Sequence, residues 1–203
     1  MRKYIIVASA VLGTLSFVAC DSGTNTNTEQ QTANGQVNEA VAGDIDSLTA
    51  EKRDIIPFMA KASLLQIEMG NLAAEKGQSD QVKQYGKQMA DLYSSKKGEL
   101  HDFAGTYGVS LPESLDEDQQ KEIQKLRETK PEEFDMAYWD KAIEAHKDAV
   151  DEFDSNLKPE DEALANPFGV WARNTKKEKQ AQMEQAMRFR LEQKDILRKR
   201  SGL

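Results

Sequence analysis

Apolar residues recur every three or four positions from about residue 50 to about residue 199. This spacing is typical of amphipathic helices, since residues three and four apart share one helix face. No segment beyond Thr49 combines alternation of apolar and polar residues with β-branched enrichment, which strands require. The pattern therefore predicts an all-α domain.

Start and stop signals divide this region into helices. Ser79 is a suitable N-cap, Pro131 a suitable first helical residue, and Gly77 and Gly108 suitable stops. The predicted helices span about 50–76, Ser79 to Tyr107, about 116–129, Pro131 to just before Pro159, and about 168–199. Four of them are long, which predicts a four-helix bundle with an extra short helix between the second and third long helices.

The N-terminus has the organisation of an export signal. Cationic Arg2 and Lys3 precede a mostly apolar run of 15 residues, too short to span a bilayer. The stretch 17–20 ends in Cys20 and resembles the bacterial lipobox, although Phe17 replaces its usual Leu. We expect residues 1–19 to be a lipoprotein signal peptide and Cys20 to be lipidated. The alternative is an ordinary signal peptide with an incidental cysteine.

Residues 20–47 lack Lys, Arg and aromatic side chains and are rich in Thr, Asn, Gln and Gly. Such composition predicts a disordered tether between the lipidated Cys20 and the helical domain at 48–203. Acyl chains would anchor the protein to a membrane without a transmembrane helix. We therefore expect a bacterial envelope protein on the inner or outer membrane, with its domain in the periplasm or at the cell surface.

Composition narrows the function classes. A net charge of −8 disfavours nucleic-acid binding, which depends on neutralising phosphates. A single Cys permits neither an intramolecular disulfide nor a multi-cysteine zinc site. The sequence contains no nucleophile elbow, P-loop or dinucleotide fingerprint. A non-catalytic protein without a cofactor is the favoured expectation.

Four polar residues, one on each long helix, fall on or beside the apolar faces: Glu68, Tyr93, His146 and Gln182. Together they could form a cluster inside the bundle, where bundle proteins build metal sites. The alternative, which we favour, is a hydrogen-bonded core cluster in which Glu68 pairs with His146. The Glu-x-x-His motif of di-iron bundles occurs nowhere in the chain.

Other polar positions have simpler interpretations. His101 adjoins Asp102 and is expected in solvent, whereas Lys96 takes an apolar position of the second helix and is interpreted as a snorkelling side chain. The C-terminal stretch 188–200 is strongly basic, and its cations could contact anionic headgroups or an acidic partner. Simple complementarity to the helix dipole is the alternative. The basic residues are Arg188, Arg190, Lys194, Arg198, Lys199 and Arg200.

From Phe58 to about Ala186 the chain resembles the domain of unknown function 4142 family, bacterial envelope proteins with a ferritin-like helical fold. The resemblance rests on the stretches 67–73, Val82 with 89–91, 108–112, and 134–138 leading to His146. Where that family usually shows histidines, this chain has Tyr93 and Gln182. The resemblance therefore implies the fold and location, with only Glu68 and His146 carried over from the family's polar centre.

We expect a lipid-anchored helical bundle that acts as a non-catalytic binding or envelope-associated module for an unknown envelope protein or ligand. One alternative is a ferritin-like metal-binding or redox protein that uses Glu68 and His146. Another is a carrier that holds an apolar ligand between its helices. The aromatic residues available for that role are Phe58, Tyr85, Phe103, Tyr138 and Trp171.

Overall fold

A computed structural model describes residues 48–200 and 202, and this part of the chain is helical without strands. Its elements in chain order are α1 (Ala50–Lys76), α2 (Asp80–Thr106), α3 (Glu117–Glu128), α4 (Pro131–Asn156), α5 (Pro159–Ala163) and α6 (Pro167–Arg200). The all-α prediction is confirmed, and α1, α2, α4 and α6 are the four long helices of the bundle.

The helix ends follow the local signals in the sequence. The Ser79 hydroxyl accepts a hydrogen bond from the Val82 amide at 3.3 Å, which caps α2. Asp116 and Gln119 form a reciprocal capping box at the start of α3. Sequence reasoning missed α5, because a helix of five residues is too short to show a 3.6-residue period.

The long helices associate as two pairs, α1 with α2 and α4 with α6, which join chiefly through α1 and α4. Near the α1–α2 turn, the two helices approach closely at Gly70 and Gly86. A Cβ added at Gly70 would lie 2.4 Å from the backbone oxygen of Gly86. Only a residue without a side chain permits this backbone contact.

The apolar core is divided along the bundle. One cluster contains the α1 residues Leu65 to Ala73 together with aromatic residues of α4, and a second contains Ile55 to Met59 with Phe153 and Phe168. The candidate site includes three buried polar residues that belong to neither cluster: His146 on α4, and Lys179 and Gln182 on α6.

None of the described helices is long and apolar enough to cross a membrane. The predicted signal peptide, the lipidated Cys20 and the predicted tether fall in 1–47, outside the described residues.

Candidate functional site

Hydrogen bonds join buried polar groups of three long helices into a polar layer, which includes Tyr85 and Tyr93 of the first apolar cluster. The Tyr85 hydroxyl on α2 lies 3.3 Å from Nε2 of His146 and 3.3 Å from the backbone oxygen of Gln182. The hydroxyl has a single proton, so donating it to Gln182 leaves Nε2 of a neutral His146 to donate to the Tyr85 oxygen. Three long helices are thus joined by polar contacts through one tyrosine.

A second tyrosine extends the layer toward one side of the bundle. The Tyr93 hydroxyl donates to Oε1 of Gln182 and accepts a 2.8 Å hydrogen bond from Nζ of Lys179. The Gln182 amide donates to Glu178 at 3.2 Å, and the Lys96 ammonium pairs with the same carboxylate. A chain of polar contacts therefore runs from half-buried Lys96 inward to Gln182.

Burial disfavours charge inside this layer. It lowers the pKa of His146 to about 3, with a further contribution from the charge of Lys179. Burial also lowers the pKa of Lys179 to about 7, partly opposed by Glu178. Both Tyr85 and Tyr93 have their pKa raised by burial. At neutral pH the imidazole and both phenols are uncharged, and Lys179 is the only group of the four that titrates there.

The predicted partnership of Glu68 with His146 is wrong. Glu68 is exposed on α1, without a hydrogen bond or ion pair to a described residue, whereas His146 is fully buried. The buried polar residue of this turn is Gln66, which lies two positions earlier. In the described part of the chain, no group of three or more His, Cys, Asp or Glu side chains is placed to hold a metal ion. A carboxylate–imidazole metal centre on these two residues does not fit this geometry.

Several polar atoms near Tyr85 are buried without a hydrogen-bond partner among the described residues. They are Nδ1 of His146, the Tyr138 hydroxyl and Nε1 of Trp139. The Tyr138 and Trp139 rings lie 6.3 and 5.1 Å from the Tyr85 ring. Each such atom costs stability, since it has left water without a replacement bond.

A cavity of about 1000 Å³ adjoins the outer end of the polar layer. It lies between α1, α2, α6 and the segment 109–113 that follows α2. Its apolar wall contains Met59, Leu64, Ile67, Leu100, Phe103, Leu111 and Trp171. Its polar lining includes Tyr93, Lys96, Glu178 and Lys179. The cavity thus combines an apolar surface with a polar end that reaches into the core.

Lys179 connects the layer with the cavity, and sequence reasoning missed it. The side chain is buried, lies 4.1 Å from the centre of the Tyr93 ring and lines the cavity. A signal was present, because Lys179 stands seven residues after Ala172 and seven before Ala186, both of them buried. That spacing places the lysine on the inner face of α6.

The aromatic residues considered for an apolar ligand separate into two groups. Phe103 and Trp171 line the cavity and stack with ring centres 4.6 Å apart. Tyr85 and Tyr138 instead pack in the first apolar cluster, and half-buried Phe58 packs against the second. Of these five aromatic residues, only Phe103 and Trp171 line the cavity.

The basic C-terminal stretch occupies the last turns of α6. Arg188, Lys194, Lys199 and Arg200 are exposed, Arg198 lies 3.9 Å from Asp195, and Arg190 pairs with Asp140 of α4. Lys96, predicted to be a snorkelling side chain, lines the cavity and pairs with Glu178. His101 is exposed.

Comparisons with known proteins identify the fold. The family model described as "Domain of unknown function (DUF4142)" matches residues 30–189. The crystal structure of a DUF305 fragment from Deinococcus radiodurans is similar with a TM-score of 0.56 and 12% identity. The similarity covers 70% of this chain and 96% of that one. At this identity the likeness shows the helical fold alone. No curated protein matches the sequence.

Proposed function

Because this chain belongs to the DUF4142 family, whose description names no activity, we propose a function from the site itself. The domain is a non-catalytic binding module that holds a small molecule with an apolar body in the cavity between α1, α2 and α6. The protein works in the bacterial cell envelope, where acyl chains on Cys20 attach it to a membrane.

The cavity is the observation that carries this proposal. Small-molecule sites commonly have volumes of about 300–1,000 Å³ and mostly apolar walls with a few polar groups. The cavity here has about 1000 Å³, and the stacked rings of Phe103 and Trp171 form part of its wall. Such a surface favours an apolar ligand body, since burying it removes apolar area from water.

The attachment to the envelope rests on the sequence signals at the N-terminus. Expression of the full chain in a bacterium that lipidates exported proteins tests it directly. We expect the chain in the membrane fraction with a mass increase from acylation, and we expect Cys20→Ser to abolish both. A Cys20→Ser variant that stays equally membrane-bound would contradict the anchor.

Ligand binding is tested with the chain from Asp21 onward, which keeps every described residue. A neutral naphthylamine dye that fluoresces in apolar surroundings serves as the probe. We expect saturable binding that weakens in Ser63→Phe, because Ser63 lines the cavity and a larger side chain there reduces its volume. Ser155→Phe, at an exposed position of α4, is the matched control and should bind as wild type does.

Saturable binding that both Phe variants retain unchanged would place the dye elsewhere and contradict the proposal. Failure of the wild-type chain to bind any apolar probe, with its helices intact by circular dichroism, would contradict it as well.

A further inference from the structure

Lys179 is a buried amine with unused hydrogen-bonding capacity at the cavity wall. The residue is 3% exposed, and Nζ makes a single hydrogen bond, to the Tyr93 hydroxyl, among the described residues. An ammonium group has three donors, so two remain for an acceptor in the cavity. The centre of the Tyr93 ring lies 4.1 Å from Nζ. This ring stabilises the ammonium group less than a hydrogen-bonded anion would.

Lys179 forms no hydrogen bond or ion pair with a carboxylate among the described residues. Glu178, its neighbour on α6, accepts from Lys96 of α2 and from the Gln182 amide. Tyr93 and His146 are neutral at pH 7, and the α1 residues of the lining carry no titratable group. Lys97, Glu99, His101 and Glu113 complete the ionisable lining. When Lys179 is protonated, the inner end of the cavity therefore holds two ammonium groups and one carboxylate.

We propose that the ligand is an aliphatic monocarboxylate, with its carboxylate accepting hydrogen bonds from Lys179 and its chain lying along the apolar wall formed by residues such as Ile67 and Trp171. This inference rests on the proposed function and specifies the ligand class of the same cavity. One negative charge compensates the single excess positive charge, and the two carboxylate oxygens match the two unused donors. The apolar wall then buries the chain.

Displacement of the naphthylamine dye by three amphiphiles with the same dodecyl chain tests the head group. They are dodecanoate, dodecanol and dodecyltrimethylammonium, each used below its micelle concentration. We expect dodecanoate to displace the dye at concentrations about tenfold or more below those of dodecanol, from the strength of charge-assisted hydrogen bonds. The quaternary amine should displace it least, because its cation faces Lys179 and Lys96.

Variants at position 179 show whether this lysine makes the distinction. Lys179→Met should bring dodecanoate down to the affinity of dodecanol, whereas Lys179→Arg keeps a cation and should preserve the preference. Lys97→Met is the matched control, since Lys97 also lines the cavity but is exposed. Circular dichroism confirms that each variant is folded, and dye binding confirms that its cavity is open.

The pH profile supplies an independent readout. Dodecanoate should bind more weakly as pH rises above about 7, because Lys179 loses its proton there. The decline should vanish in Lys179→Arg, and dodecanol should show none in either protein.

The outcomes separate the two proposals. Equal displacement by dodecanoate and dodecanol overturns the carboxylate inference but leaves an apolar binding module in place. Preference for dodecanoate that survives Lys179→Met also overturns the role of Lys179. A dye that never binds removes both proposals.

Discussion

The Nζ atom of Lys179 lies 2.8 Å from the hydroxyl oxygen of Tyr93. This is the single hydrogen bond that the buried amine makes among the described residues. Burial lowers the pKa of this amine to about 7 from the usual 10.5, so the folded protein binds this proton less tightly than the unfolded chain does. The buried Lys179 therefore lowers the free energy of unfolding at neutral pH, and this effect can be measured.

Lys179→Met should raise the free energy of unfolding at about pH 7 and have less effect near pH 10. Between these values the unfolded chain binds a proton on Lys179 that the folded protein lacks. The stability associated with the neutral amine is fully present above the unfolded pKa and is lost as pH falls toward 7. Urea unfolding of both proteins at several pH values measures the difference. Lys97→Met, on the exposed part of α2, should leave the pH dependence of wild type unchanged.

Local signals account for most of what the sequence predicts correctly. Capping by Ser79 and the proline at position 131 act within one turn, so the helix ends follow from neighbouring residues. Periodicity also predicts that Tyr93, His146 and Gln182 point inward, and all three are buried.

The sequence predicts that Glu68 points inward, but Glu68 is exposed. Its spacing from Leu65 and Leu72 places it near the apolar face of α1 but does not show where the buried part of that face ends. Where a face ends depends on which helix packs beside it, and α1 meets both α2 and α4. The cavity and the position of Lys179 beside Tyr93 likewise depend on how α2 and α6 are placed. These relationships join residues 86 positions apart in the chain, beyond the reach of any local pattern.

His146→Leu should flatten the loss of stability between about pH 6.5 and about pH 3. Burial lowers the pKa of the folded imidazole to about 3, so the unfolded chain takes up a proton first as pH falls. This uptake favours unfolding throughout that interval, and leucine removes it. Urea unfolding at pH values across the interval provides the measurement.

The other histidine provides the control for this experiment. His101 is exposed on α2, and His101→Leu should retain the acid sensitivity of wild type. Equal acid sensitivity of His146→Leu and wild type would show that His146 is not a neutral buried group.

Asp135→Ala should destabilise the domain by about 1–3 kcal/mol, the cost of leaving buried donors without partners. The buried Asp135 carboxylate accepts hydrogen bonds from the amides of Gln78 and Ser79, at 2.7 and 2.8 Å. It thereby connects α4 to the turn where α2 begins. Thermal unfolding compares this variant with Asp102→Ala, at an exposed position where a change of less than about 0.5 kcal/mol is expected.

Gly70→Ala and Gly98→Ala should change stability in opposite directions, although both replace a glycine inside a helix. Alanine is favoured over glycine in helices by about 1 kcal/mol, and a Cβ at Gly98 meets nothing within 4 Å. At Gly70 the added carbon would meet the Gly86 oxygen at 2.4 Å, and a backbone atom moves only if α1 and α2 separate. We expect a net loss of about 1–3 kcal/mol there, as for other overpacked cores. Urea unfolding of the two variants beside wild type decides the matter, because equal gains in both would show that the helices do not touch at Gly70.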